Sequence, residues 1–423
     1  MELTADQRWE LIEKISEKTV RFGAYRHTLK DAIGDLTVRP STGIPVAIAV
    51  LYGFWSIFGS FAGTLFTDGF MCKIFDEHWL PWMQSVFPGG LGNWFYAIMV
   101  DAGHIQNGML TASDNSFESF GVLTSGLFVP FGVVLPAIFI FYLMLAFLED
   151  VGYMPRLAVL IDTLLHKIGL HGYAIVPTIL GLGCNVPAVA STRILETRKQ
   201  RFIMMALVAT FIPCGAQIGI MQDVIPESIG FVMLYLFIGY FVMGYILNKV
   251  ISGRAPEILM DVPPYQKPML KNIKRKVWMR TSGFLKVAVP FVLLGCLIVN
   301  ILYLAGTIDW LGNVFAPVFE GWFGVPKETA GPLVAAFLRK DLAVAQLSAI
   351  HMTKYQMITS VVLVSIYFPC VATFAMILKE SWKALLGSLV VLLIAAFGWG
   401  GLLHLIWKLM RERIYLSHAY DTK

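Results

Sequence analysis

Charge is scarce in this chain. Only 14% of its 423 residues are Asp, Glu, Lys or Arg, against about 25% in an ordinary soluble domain. The net charge of +5 does not mark a nucleic-acid binder, because the basic residues concentrate in connections between apolar runs. No cleavable signal sequence opens the chain, since residues 1–39 are polar and of mixed charge. G-x-x-x-x-G-K-[ST] does not occur, so the chain encodes no phosphate loop. H-E-x-x-H does not occur either, which argues against an intramembrane metalloenzyme. The five cysteines form no C-x-x-C pair and mostly lie in apolar runs, which indicates neither a disulfide framework nor a zinc finger.

Apolar length is what the chain has. Hydrophobic residues make up 57% of it, and several runs reach the ~18 residues that a transmembrane helix needs. They fall at about 44–66, 131–148, 202–220, 229–250, 284–304, 357–378 and 384–405. The expected fold is all-α: a polytopic membrane protein of about eight transmembrane helices, multi-pass in a plasma or inner membrane. The expected divisions are as follows: an amphipathic N-terminal segment (1–39); a first helix with a polar outer connection (40–130); a first repeat (131–251); a basic loop (252–283); a second repeat (284–380); and a last helix with its tail (381–423). The basic loop should be cytoplasmic.

Two apolar segments are interrupted where lipid would demand unbroken helix. The first reads G-L-G-C-N-V-P-A around Cys184, followed by F-I-P-C-G-A around Cys214. In the second, Arg339, Lys340 and Asp341 interrupt an apolar stretch, and Y-F-P-C-V-A-T follows around Cys370. Broken helices near the midplane are where transporters bind substrate and ions. Cys184 lies 30 positions before Cys214, and Asp341 lies 29 before Cys370. This matched spacing suggests two repeats with a site between them. Whether the Asp341 segment crosses the membrane or re-enters it decides the side of the C-terminus, and the sequence leaves that open. Glu149 and Asp150 end another apolar run, with Arg156 as the expected partner of one carboxylate. His78 and His104 lie among acids in the polar connection, where a solvated or structural role is expected. Cys72 and Cys296 read as ordinary residues.

These motifs resemble the membrane domain of the ferrous iron transport protein B (FeoB) family. The resemblance rests on L-E-D-V-G-Y-M-P-R (148–156), G-L-G-C-N-V-P-A (181–188), P-C-G-A (213–216), A-A-F-L-R-K-D (335–341) and F-P-C-V-A-T (368–373), approached by D-L-T-V-R-P-S-T-G-I-P (35–45). It implies two Gate repeats and Fe2+ as the transported substrate. It also implies metal contacts from Cys184, Cys214, Cys370, Glu149, Asp150 and Asp341, the last standing where the family usually has Glu. Typical members begin with a GTP-binding domain that this sequence lacks. Either the GTPase is a separate chain or this is a shortened relative; the expected partners are a separate GTP-binding protein, a small accessory protein and further copies of the chain, with no nucleic acid. Thiolates with carboxylates suit Fe(II) over Mg(II) or Ca(II), without excluding Mn(II), Co(II) or Zn(II). An organic-solute carrier like the nucleoside transporters, or a non-transporting scaffold for a GTPase, remain alternatives.

Overall fold

A computed structural model of the chain describes residues 29–87, 93–101, 104–106, 109–111, 121–253, 264–304, 307–338 and 340–409, with Lys14, Ile15 and Thr19. Most of the N-terminal amphipathic segment, Asp114, the middle of the basic loop and the basic end after Leu409 lie outside these residues.

Seven helices among the described residues are long and apolar enough to cross a membrane: Pro40–Val86, Ser125–Val151, Arg198–Val224, Ile229–Val250, Leu270–Ile298, Lys354–Glu380 and Trp382–Leu409. Two broken hairpins join them. The first hairpin has arms Ile175–Gly183 and Asn185–Ser191, and the second has arms Ala330–Leu338 and Lys340–Leu347. The all-α expectation holds except for one short antiparallel ribbon, His104–Gln106 with Met109–Thr111, in the polar connection. The first helix does not stop near residue 66. It runs on to Val86, through wide turns at Gly59–Met71, where Cys72 N–H bonds Thr67 O five residues back.

Burial separates the helices into two classes. Of the apolar windows in Arg198–Val224 and Lys354–Glu380, 78% and 67% are buried, against 17–44% in the other five. A helix that is apolar all round belongs in a core, and these two form it. The outer helices keep Ile48, Tyr52, Phe237 and Ile394 exposed, as lipid contact requires. Both central helices start with the same device. Thr197 caps Gln200 and Thr353 caps Gln356, each as a reciprocal capping box that satisfies two orphan N–H groups. Thr353 stands 156 residues after Thr197, as Pro369 does after Pro213. The repeat is therefore exact in register over each central helix.

Side-chain contacts fix which face each end occupies. Lys199 Nζ donates to Asn248 O (2.9 Å) and Gly253 O (3.1 Å), Gln266 N to Val151 O (3.2 Å), and Arg193 pairs with Glu380 (2.6 Å). These residues share the face of the basic loop. On the opposite face Lys354 pairs with Glu227, and Gln356 Nε2 donates to Gly324 O (3.1 Å). The first hairpin leaves from beside Asn248 and returns to Arg193, so it re-enters from the basic face. The second leaves from Gly324 and returns to Lys354, so it re-enters from the other. The side of the C-terminal end follows. Trp407 packs on Tyr355 at 4.7 Å, which places Leu409 on the face opposite the basic loop.

In a cysteine-free background, an impermeant maleimide should label Arg193→Cys from one side of intact membranes. It should label Lys354→Cys and Leu409→Cys from the other. Labelling of Arg193→Cys and Lys354→Cys from the same side would overturn the two opposed hairpins.

Candidate functional site between the repeats

Proline has no N–H, so the carbonyl four residues before it loses its helical donor. Pro213 orphans Ala209 O in this way, and Pro369 orphans Ser365 O. One side chain answers both. Lys340 Nζ donates to Ser365 O at 2.6 Å and to Ala209 O at 3.4 Å. The lysine is only 3% exposed and sits where the second hairpin breaks. It stands 156 residues after Cys184. The pairing of Cys184 with Asp341 expected from the sequence is therefore one residue off: the two hairpin tips carry a thiol in one repeat and an ammonium in the other.

The breaks are tied together across the repeats. Asn185 Nδ2 donates to Ile212 O (3.2 Å), another carbonyl freed by the Pro213 break. Gln217 Nε2 donates to Ser365 Oγ (2.8 Å), joining the two central helices directly. The second arm of each hairpin packs on the outer half of the other repeat's central helix: Asn185–Ser191 on Val371–Glu380, and Lys340–Leu347 on Gly215–Val224. Gly183 lets the first hairpin come close, because a Cβ there would collide with the Phe141 ring.

The structure brings four of the six expected site residues to this centre. Cys184, Cys214 and Cys370 are half-buried in extended backbone, each as the N-cap of a half-helix. Backbone N–H groups of Val186 and Gln217 face the Cys184 and Cys214 thiols. Cys184 is within electrostatic reach of Cys214 and Cys370, and Cys214 of Lys340 and Asp341. Cys370 Sγ lies 3.1 Å from Thr373 Oγ1. The thiols do not close into one ligand shell in this state. Among the described residues, the one group of His, Cys, Asp or Glu whose ligand atoms all lie within 4.8 Å is Asp162, His166 and His171.

A cavity of about 950 Å³ leads to this centre. It is walled by the first helix at Asp68, Cys72 and Asp76, by Asp223 at the end of the first central helix, and by Gly215 and Asp341. Among the described residues its lining includes four carboxylates and neither lysine nor arginine. Such a wall raises the local concentration of cations. Asp68, Cys72, Asp76 and Asp223 were not foreseen here, because the sequence does not show that the first helix continues past its apolar stretch along the cavity. His78, which is described, is not in the lining. Lys340 did carry a signal: a lysine inside an apolar run is costly and defaults to function.

Glu149 and Asp150 lie apart, toward the basic face. Glu149 pairs with Arg280 (3.0 Å) and Lys276 (3.6 Å); Asp150 pairs with Lys276 (3.1 Å) and accepts Met269 N–H (2.8 Å). Arg156 is not their partner, as the sequence had suggested. Its Nη1 donates to Gly152 O, and its guanidinium covers the Tyr265 ring at 3.8 Å. Tyr142 lies between the two groups, with Arg280 5.8 Å from its ring and Cys184 within electrostatic reach.

Two known families match parts of this chain. A family model described as Gate, nucleoside recognition, matches residues 131–225 and again 285–381. A second, ferrous iron transport protein B C terminus, matches residues 229–280 between them. The Fe(2+) transporter FeoB of Methanocaldococcus jannaschii is 24% identical over 93% of this chain and 61% of its own length. That of Staphylococcus aureus (strain MSSA476) is 27% identical over 65% of this chain and 47% of its own. The chain thus spans about half the length of the curated relatives it matches. Among solved structures, a chain of CNTnw in an outward-facing state matches over 86% of this chain and 95% of its own, at 15% identity and a TM-score of 0.47.

Replacing Lys340 by methionine should bare two buried carbonyls, at about 1–3 kcal/mol each, less whatever is regained by no longer burying an ammonium. The thermal unfolding midpoint should fall clearly. Lys354→Met, which loses only an exposed ion pair, should change stability by about 1 kcal/mol or less. Equal midpoints for the two variants would refute the bridging role of Lys340.

Proposed function

We propose that this chain, which belongs to the ferrous iron transport protein B family through its two Gate repeats and the segment between them, is a permease for Fe2+. The observation that carries the reading is the acidic cavity that ends on Asp341 beside Cys214, at the helix breaks where three thiols gather.

The chemistry runs from hard to soft donors. Asp68, Asp76 and Asp223 draw a hydrated divalent cation into the cavity, and Asp341 receives it at the floor. Cys214, Cys370 and Cys184 then offer thiols in turn, each of which gives up its proton as the metal binds. Separate weak sites suit conduction better than one tight cage. Carboxylates followed by thiolates favour Fe(II) and its neighbours over Mg(II) and Ca(II). Beyond Cys184 the way to the basic face passes Tyr142 and reaches Glu149 and Asp150.

In the observed conformation a protein cation already stands at the junction. Lys340 holds the two central helices through their orphaned carbonyls, so passage of a metal requires the second hairpin to withdraw. Rigid motion of one repeat against the other around a central site is the usual form of such a cycle. A GTP-binding partner, and any small accessory protein, would act from the basic face, where Arg193, Lys199 and Lys276 lie.

A second reading has one observation in its favour. Asn185 Oδ1 and Gln217 Oε1 are buried without a hydrogen-bond partner among the described residues, and amide oxygens can bind a nucleoside-like solute as well as a cation. The thiols have no evident task in that reading.

Anaerobic Fe2+ uptake into proteoliposomes tests the proposal. Cys184→Ser, Cys214→Ser, Cys370→Ser and Asp341→Asn should each reduce uptake by roughly 10-fold or more, the scale on which metal sites respond even to outer-shell changes. If uptake needs a GTP-binding partner with GTP, the gated form of the proposal stands. Uptake by the chain alone makes the partner a regulator. Unaltered uptake in all four variants removes the thiol and carboxylate path.

A further inference from the structure

A third concentration of metal-binding side chains lies outside this path, on the basic-loop side. Asp162 and His166 are four residues apart on the amphipathic helix Tyr153–His166, which puts them on one face, one above the other. The helix then ends in a tight reversal. Gly169 adopts φ 75, a left-handed conformation that suits glycine, and Leu170 N–H bonds back to Leu165 O (3.1 Å). The reversal carries His171 over the helix end, with the His166 and His171 rings 5.2 Å apart. One ligand atom each from Asp162, His166 and His171 lies within 4.8 Å of the other two.

The carboxylate is already oriented. Its Oδ1 accepts Gly172 N–H at 2.6 Å, which leaves Oδ2 toward His166 Nδ1 at 3.9 Å. A carboxylate with one oxygen held by backbone and the other turned toward an imidazole has the arrangement of a metal ligand with its orienting outer contact. His171 is buried, while Asp162 and His166 are partly open to solvent. The group therefore has a fixed inner wall and an approach from outside.

We propose that Asp162, His166 and His171 form a binding site for a divalent first-row transition ion. Two imidazoles and one carboxylate select such ions over Mg(II) and Ca(II) and leave coordination positions for water. The bound ion fastens the amphipathic helix to the start of the first hairpin, whose tip is Cys184. The site stands on its own geometry and does not depend on the transport reading. If Fe2+ does cross the membrane, the ion reads its concentration on the side of the basic loop.

Co(II) titration of the full chain, purified in detergent, tests the site without any transport measurement. Cobalt held by imidazole and carboxylate absorbs weakly in the visible through d–d transitions. Cobalt held by thiolate adds an intense near-ultraviolet charge-transfer band, so the two kinds of site separate in one spectrum. The expected result is a saturable d–d signal that is free of that band in the Cys184→Ser/Cys214→Ser/Cys370→Ser triple variant. In that background it should be lost on adding His166→Ala or Asp162→Asn, whose partly exposed positions leave the fold intact. Absence of the signal in the triple variant, or its retention after His166→Ala is added, overturns the proposal.

Discussion

The hydrogen bonds from Lys340 to Ala209 O and Ser365 O are the contact on which the centre of this protein depends. A membrane-spanning helix must satisfy its own backbone, and a proline in its middle prevents that. Two such helices side by side leave two bare carbonyls at about the same depth. Water could cover them only by hydrating the core. An ammonium from a third element, the second hairpin, covers both. The defect in each central helix is thus repaired by a residue that belongs to neither, which makes the two helices and the hairpin one cooperative unit.

That repair also explains the asymmetry between the repeats. The capping boxes at Thr197 and Thr353 and the breaks at Pro213 and Pro369 recur at one fixed offset. At the same offset, however, the hairpin tips differ: Lys340 stands where the first repeat has Cys184, and Asp341 where it has Asn185. A symmetric pair of lysines would place two buried ammonium groups in one small volume, which repulsion and desolvation forbid. A symmetric pair of thiols would leave the carbonyls bare. One thiol and one ammonium satisfy the backbone and keep a soft ligand at the junction.

Much of this was legible in the chain. The broken segments announced themselves through prolines, glycines and thiols inside apolar runs, and Cys184, Cys214, Cys370 and Asp341 lie at or beside those breaks. What the sequence could not supply was depth and partnership. Asp68 and Asp223 are 155 residues apart and share a cavity only because the first helix continues past its apolar stretch. Glu149 and Asp150 look like intramembrane acids by position, yet Lys276 and Arg280, more than a hundred residues later, neutralise them. Arg156, their nearest cation in sequence, is turned away onto Tyr265. Matching Asp341 to Cys184 failed by one residue because it compared charged or reactive groups. The capping boxes, which the sequence also spells as T-x-x-Q, fix the register without reference to chemistry.

The two hairpins enter from opposite faces, which constrains the transport cycle proposed above. Each tip reaches the centre from its own side and packs on the other repeat's outer half-helix. Withdrawing the second hairpin would carry Lys340 away from the carbonyls it covers, so some other cation must replace it or the helices must shift to close the gap. A divalent ion arriving from the acidic cavity meets that requirement, since carbonyl oxygens and the adjacent thiols can coordinate it in place of the ammonium. In this view the buried lysine and the transported ion are alternatives for one position. On that proposal the penalty of bare carbonyls would hold the path closed when no ion is present.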